Sequence, residues 1–144
     1  MRKSLFAALM VLMFCLNACS QDQTITFDRL PGKAQSFIVQ HFDQSTITLV
    51  KIDKDGSGME YEVHFSSGTE LEFDKNGDFK KVDCKRQAVP EGIVPLQVTR
   101  YVQTSYPSSL ITEWEKMRNG WKAELDNDLE LYFDKGYNFT GMDD

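Results

Sequence analysis

The chain is 144 residues long, with 22 acidic side chains against 16 lysines and arginines and a formal net charge of −6. That is room for one ordinary domain or two very small ones. The acidic balance excludes a nucleic-acid binder, which needs a basic face to displace counterions. Residues 1–18 hold Arg2 and Lys3 and no acid, so without them the balance moves from −6 to −8.

Arg2 and Lys3 precede an apolar run, Leu5 to Leu16, of the length found in secretory signals. The run is too short to cross a bilayer, which takes roughly 20 apolar residues. It ends in Leu16-Asn17-Ala18-Cys19, which resembles a lipobox. Residues 1–18 are therefore expected to be a lipoprotein signal, with lipid placed on Cys19. Cleavage after Ser20 by an ordinary signal peptidase is the alternative. Ser20, rather than Asp, follows the cysteine, as in lipoproteins passed on to the outer membrane. Either route carries the chain across the inner membrane to the periplasm, and only a lipid anchor would tie it to a membrane. Cys15 leaves with the signal, so Cys84 has no partner for an intramolecular disulfide. It is expected as a small buried apolar residue at a strand end.

The remainder shows internal similarity. Leu30-Pro31, Phe37-Ile38 and Phe42 recur as Val94-Pro95, Tyr101-Val102 and Tyr106, offset by 64. Glu70-Leu71-Glu72-Phe73-Asp74-Lys75 recurs as Glu130-Leu131-Tyr132-Phe133-Asp134-Lys135, offset by 60. A duplication would place one unit at 24–87 and a second at 88–144. Leu30, Ala34, Phe37, Ile38 and Phe42 form one apolar helical stripe, repeated by Val94, Val98, Tyr101, Val102 and Tyr106. Pro31 and Pro95 suit the first helical turn. Four short strands follow in each half, with Ile47 and Leu49 inward on the first. Tyr61, Val63, Phe65 and Leu71, Phe73 face inward on the next two. Trp121, Ala123, Leu125 and Leu129, Leu131, Phe133 do so in the second half. Asn76-Gly77 is a strong hairpin signal, and short connections make neighbours antiparallel. The expected fold is α+β, with two tandem repeats, each a helix packed on a four-stranded antiparallel meander; the repeat alone does not decide whether the two meanders form one continuous sheet or two. Each sheet would present a polar outer face.

The Leu30-Pro31 helix, the Glu70-Leu71-Glu72-Phe73-Asp74-Lys75-Asn76-Gly77 hairpin, Val82-Asp83-Cys84-Lys85 and the linker Val89-Pro90-Glu91-Gly92-Ile93 together resemble the PepSY-like secreted proteins of Gram-negative bacteria. These are related in fold to the beta-lactamase inhibitor protein. The resemblance implies an inhibitor-like fold that binds an enzyme through its exposed sheet, and a peptidase as the kind of enzyme bound. Fold alone does not confer function.

Catalysis is not expected, and no residue is assigned to it. There is no Gly-x-Ser-x-Gly elbow and no His-Glu-x-x-His helix, and His41 and His64 are dispersed without a nucleophile. The expected site is a protein-binding face for a partner in the cell envelope. It comprises Glu62, His64, Glu70, Glu72, Trp114, Lys122, Glu124, Glu130 and Tyr132. Aromatics exposed on a rigid sheet make good anchors for a partner. The charge alternation of Glu113-Trp114-Glu115-Lys116 suits an edge strand. Asp74, Asn76 and Asp78 place oxygens at alternate positions, as a calcium loop does. A plain Asx-type turn explains the same residues without an ion. No other cofactor is expected.

Overall fold

The computed structural model describes residues 22–55 and 58–144. The signal and lipobox, Cys19 included, lie outside these residues. In chain order the elements are β1 (Gln23–Thr24), α1 (Gly32–His41), β2 (Ile47–Asp55), β3 (Gly58–Phe65), β4 (Glu70–Asp74) and β5 (Phe79–Asp83). They continue with α2 (Leu96–Ser105), β6 (Ile111–Met117), β7 (Gly120–Leu125), β8 (Glu130–Phe133) and β9 (Phe139–Asp143).

Both helices form where the apolar stripes run, but begin two residues after the stripes do, at Gly32 and Leu96. Pro31 and Pro95 sit as N-caps, one position before the first turn, and their carbonyls accept from Gln35 N–H and Thr99 N–H, both at 3.1 Å. Each stripe turns its small or branched members fully inward: Ala34 and Ile38 on α1, Val98 and Val102 on α2. Phe37 then stacks on Phe79 at 4.9 Å, and Tyr101 stacks on Phe139 at 4.8 Å. Such ring pairs contribute about 0.5–1.5 kcal/mol beyond the area they bury.

The expectation of two helix-on-four-strand units is overturned. All nine strands form one antiparallel sheet in sequence order. Its middle is the pairing of β5 with β6 through Lys81↔Glu115, Val82↔Trp114 and Asp83↔Glu113. Cys84 N–H extends the join by donating to the Thr112 carbonyl at 2.8 Å. Two separate sheets would leave β5 and β6 as further open edges, whose unpaired backbone groups invite aggregation. One sheet removes both edges and merges the apolar faces into a single core from Leu30 to Phe133. The first half also gains a short strand at its start, β1, which pairs Gln23 with Ile52 and Thr24 with Lys51.

Local irregularities correct two further expectations. The pairing of β2 with β3 steps from Ile47↔Phe65 to Leu49↔His64, leaving Thr48 as a bulge. A bulge shifts the alternation by one residue, so Leu49 joins the polar face and Val50 takes the buried place. The β6–β7 pairing slips in the same way at Thr112. The second correction concerns β6, which is a central strand and not an edge.

Candidate functional site on the polar sheet face

The core claims one side chain in two along each strand: Tyr61, Val63 and Phe65; Leu71 and Phe73; Val82; Trp114; Ala123 and Leu125; Leu131 and Phe133. The alternate set faces the other way, and register aligns it into two rows across the sheet. One row reads Lys51, Glu62, Glu72, Lys81, Glu115, Lys122 and Tyr132, each the cross-strand partner of the next. The other reads His64, Glu70, Asp83, Glu113, Glu124, Glu130 and Asp143. The second row therefore sets six carboxylates side by side over six strands.

Eight of the nine residues expected at a protein-binding face meet here, drawn from both halves of the chain. Trp114 does not. It lies on the helix side, 1% exposed, stacked on Trp121 at 5.0 Å with the rings parallel. Its partners Val82 and Ala123 both face the core, so strand parity carries the indole inward. Lys51, Lys81, Asp83, Glu113, Glu115 and Asp143 are members that sequence reasoning did not assign to the face. For those on β5 and β6 the signal is visible only once the two strands are known to pair.

Like charges on directly opposed strand positions destabilise a sheet, and the cations are placed against that. Lys122 Nζ lies 3.0 Å from Glu113, 3.1 Å from Glu130 and 3.4 Å from Glu115. Burial alone would lower its pKa, but the ion pair with Glu113 and the hydrogen bond to Glu130 prevail and hold it above the usual lysine range. Lys81 reaches Glu113 at 3.2 Å from the other side. Glu113 is thereby buried between two ammonium groups, at 7% exposure. Lys85 bridges Asp83 at 2.7 Å and Glu70 at 3.3 Å. His64 places its two ring nitrogens 3.2 Å from Glu62 and 3.7 Å from Glu70. Tyr132 donates its hydroxyl to Glu130, which with Lys122 pulls that carboxyl below its ordinary pKa.

The compensation is incomplete. Glu72 and Glu124 have no ion-pair partner within 4 Å among the described residues. Burial raises the pKa of Glu124, and Glu113, Glu130 and Asp83 push it further against the pull of Lys122. Burial raises that of Glu72 as well, with Glu60 and Glu62 adding to it against Lys81. A carboxyl whose pKa rises on folding opposes folding once it is ionised. Glu124→Gln is accordingly expected to stabilise the fold at pH 7 by about 0.5–1 kcal/mol. In thermal melts the advantage should vanish on acidification, as pH falls below Glu124's unfolded-state pKa and both states become protonated.

The residues expected to hold calcium form a turn. Asp74 Oδ1 accepts from Asn76 N–H at 2.8 Å and from Asp78 N–H at 3.0 Å, while Asp78 pairs with Lys33 at 2.9 Å. Gly77 closes this turn at a φ of +81°, and a Cβ there would lie 2.6 Å from Pro31 Cβ. Among the described residues, no group of three or more His, Cys, Asp or Glu side chains is arranged to hold a metal ion. An open pocket of about 690 Å³ lies between the 88–95 linker, α2 and the start of β6. Its lining is mostly apolar, including Val89, Leu96, Val102 and Ile111, with Glu91 as its one ionisable side chain.

The description beta-lactamase-inhibitor-like, PepSY-like belongs to a family model that matches residues 59–141, more than half of the chain. The chain belongs to the PepSY-like family. Three solved structures extend the likeness to nearly all of the described chain. A periplasmic protein of Bacteroides vulgatus from the DUF2874 family is 34% identical, with a TM-score of 0.81 over 88% of this chain and 99% of its own. A Bacteroides thetaiotaomicron protein, described as calcium-regulated and periplasmic, is 37% identical, with a TM-score of 0.82 over 85% of this chain and 97% of its own. A second B. vulgatus periplasmic protein, described as of unknown function, is 31% identical over 86% of this chain and all of its own, at a TM-score of 0.80. No curated protein matches the chain significantly. The PepSY-like family is not a known enzyme family. Among the described residues no helix is long and apolar enough to cross a membrane.

Proposed function

We propose that this PepSY-like chain is a non-enzymatic binding protein of the cell envelope that docks its polar sheet face on a basic surface of another protein. The observation that carries this reading is the row Glu70, Asp83, Glu113, Glu124, Glu130 and Asp143. Ordinary sheets avoid opposed like charges. A feature that breaks a local stability rule and is only partly compensated belongs to function rather than to folding. The face is broad, open and built on rigid strands, which suits a protein partner better than a small molecule. The family description points to an enzyme as that partner, in the role of inhibited or regulated target. The Cys19 lipobox supports a lipid anchor that would hold the domain in the periplasm or at the outer membrane.

Affinity capture from envelope extract, with identification of what is retained, tests the reading. A protein held by the wild-type domain should elute at about 0.5 M salt, where charge attraction is screened. After purification, it should bind Glu70→Lys/Glu124→Lys at least tenfold more weakly. Equal binding by this charge-reversed variant, or no retained protein, would overturn the proposal.

A calcium-responsive sensor is the second reading, favoured by the B. thetaiotaomicron relative described as calcium-regulated. Its expected ligands, Asp74 and Asp78, are already engaged by backbone amides and by Lys33. A rise in Tm with calcium over chelator, abolished by Asp78→Asn, would establish it. An unchanged Tm would dismiss it.

A further inference from the structure

The sheet ends in an open strand. β9 pairs only with β8, and four of its five residues are exposed. Every second backbone N–H and C=O along it points away from β8. Natural edges are guarded by lysines, prolines or very short strands. The opposite end of the sheet follows that practice, since β1 is two residues long and covers β2 beside Lys51. β9 carries neither lysine nor proline along Phe139-Thr140-Gly141-Met142-Asp143, and its one irregularity, a bulge at Thr140, leaves Gly141-Met142-Asp143 regularly paired with an open outer edge.

The two sides of this edge differ in chemistry. On the polar face, Asp143 stands opposite Glu130 and completes the acidic row. On the helix side Met142, 62% exposed, is the partner of the core residue Leu131, and the Tyr106 hydroxyl lies 3.4 Å from its sulfur. Phe139 adds a ring that is 38% exposed. Beyond the bulge at Thr140, where Gly141, Met142 and Asp143 pair in regular register, a strand laid along this edge would meet apolar Met142 on one face and acidic Asp143 on the other, because successive side chains point to opposite faces.

We propose that β9 accepts, as a tenth strand, an extended segment of the envelope partner in which basic and apolar residues alternate. This deepens the binding reading above and rests on it. Main-chain hydrogen bonds would supply the affinity, and the alternating flanks the specificity. A second copy of this chain fits poorly. Residues 22–144 carry a balance of −8, and a paired β9 would bring its own Asp143 and Asp144 to an edge that already ends in them.

The probe is a fluorescent eight-residue peptide alternating Lys and Val, titrated at low salt. Two controls accompany it: a peptide with four Lys followed by four Val, and the alternating peptide with N-methyl groups on the amides of one edge. The alternating peptide should bind at least tenfold more tightly than the block peptide, and methylation should abolish the difference. Met142→Lys, at an exposed position that tolerates polar side chains, should weaken the alternating peptide at least tenfold with an unchanged circular dichroism spectrum. Equal affinity for alternating and block peptides, reduced by Glu70→Lys/Glu124→Lys but not by Met142→Lys, would overturn the edge proposal and leave the charged face in place. Absence of binding by any peptide would overturn the edge proposal too, while envelope capture decides the face independently.

Discussion

Lys122→Met is expected to lower the stability of the domain by about 3 kcal/mol, because it strands the buried carboxylate of Glu113. The Lys122 side chain is 14% exposed and that of Glu113 9%, with 3.0 Å between the charges. Lys81 remains at 3.2 Å and keeps the loss near the lower end of what a broken buried pair costs. Urea denaturation at pH 7 reads the effect as a drop in midpoint. The pH dependence has a fixed sign. Folding raises the pKa of Lys122 above its ordinary value of 10.5. Its contribution is therefore complete below that pH and is lost as pH climbs through the range above it. The double variant Lys122→Met/Glu113→Leu should recover much of the loss, since an apolar pair can replace a buried ion pair at little cost. An unchanged midpoint in the single variant would show that the Glu113 charge is not held by Lys122.

Gly120→Ala is the second large effect, and its cause is steric. A Cβ at Gly120 would sit 2.0 Å from the Phe133 carbonyl oxygen, 3.0 Å from its carbon and 3.1 Å from Asp134 Cα. These are backbone atoms at the end of β8, so no side chain can rotate to make room. Relief requires β7 and β8 to separate next to the Trp121↔Phe133 pair. The expected loss is about 3 kcal/mol, the scale of severe overpacking. Gly141→Ala is the control. It lies in the same sheet with nothing within 4 Å of the added carbon, and its Tm should stay within about 2 °C of wild type. Equal melting of the two variants would refute the close approach of β7 to β8.

Helix and strand periodicity were legible because each element has one buried side. Ala34 and Ile38, Val98 and Val102, and the run Tyr61, Val63, Phe65 lie where their spacing puts them. The polar set was legible for the same reason, as the complement of the core. The join of β5 to β6 was not, because the two strands are separated by the linker and α2 and no tight turn ties them. That omission hid the acidic row, whose centre is Asp83↔Glu113. It also made β6 read as an edge, since charges at Glu113 and Glu115 look solvent-bound until Lys81 and Lys122 are placed beside them. Leu49 was misassigned because a bulge at Thr48 leaves no mark in an alternation of apolar residues. Trp114 was expected on the binding face, and its pairing with the core residues Val82 and Ala123 carries it inward instead. Asp74, Asn76 and Asp78 show how one pattern serves two chemistries: the oxygens that would suit a cation also suit the amides of a five-residue turn.

The most direct measurement is carboxyl footprinting of the domain with and without envelope extract, read residue by residue by mass spectrometry. If the charged face is the binding surface, labelling of Glu70, Glu72, Glu124 and Glu130 should fall several-fold in the presence of extract. Asp28, Asp43 and Glu91, which lie off that face, should be labelled as before. Unchanged labelling of the four face carboxylates, or protection confined to Asp28, Asp43 and Glu91, would contradict the account.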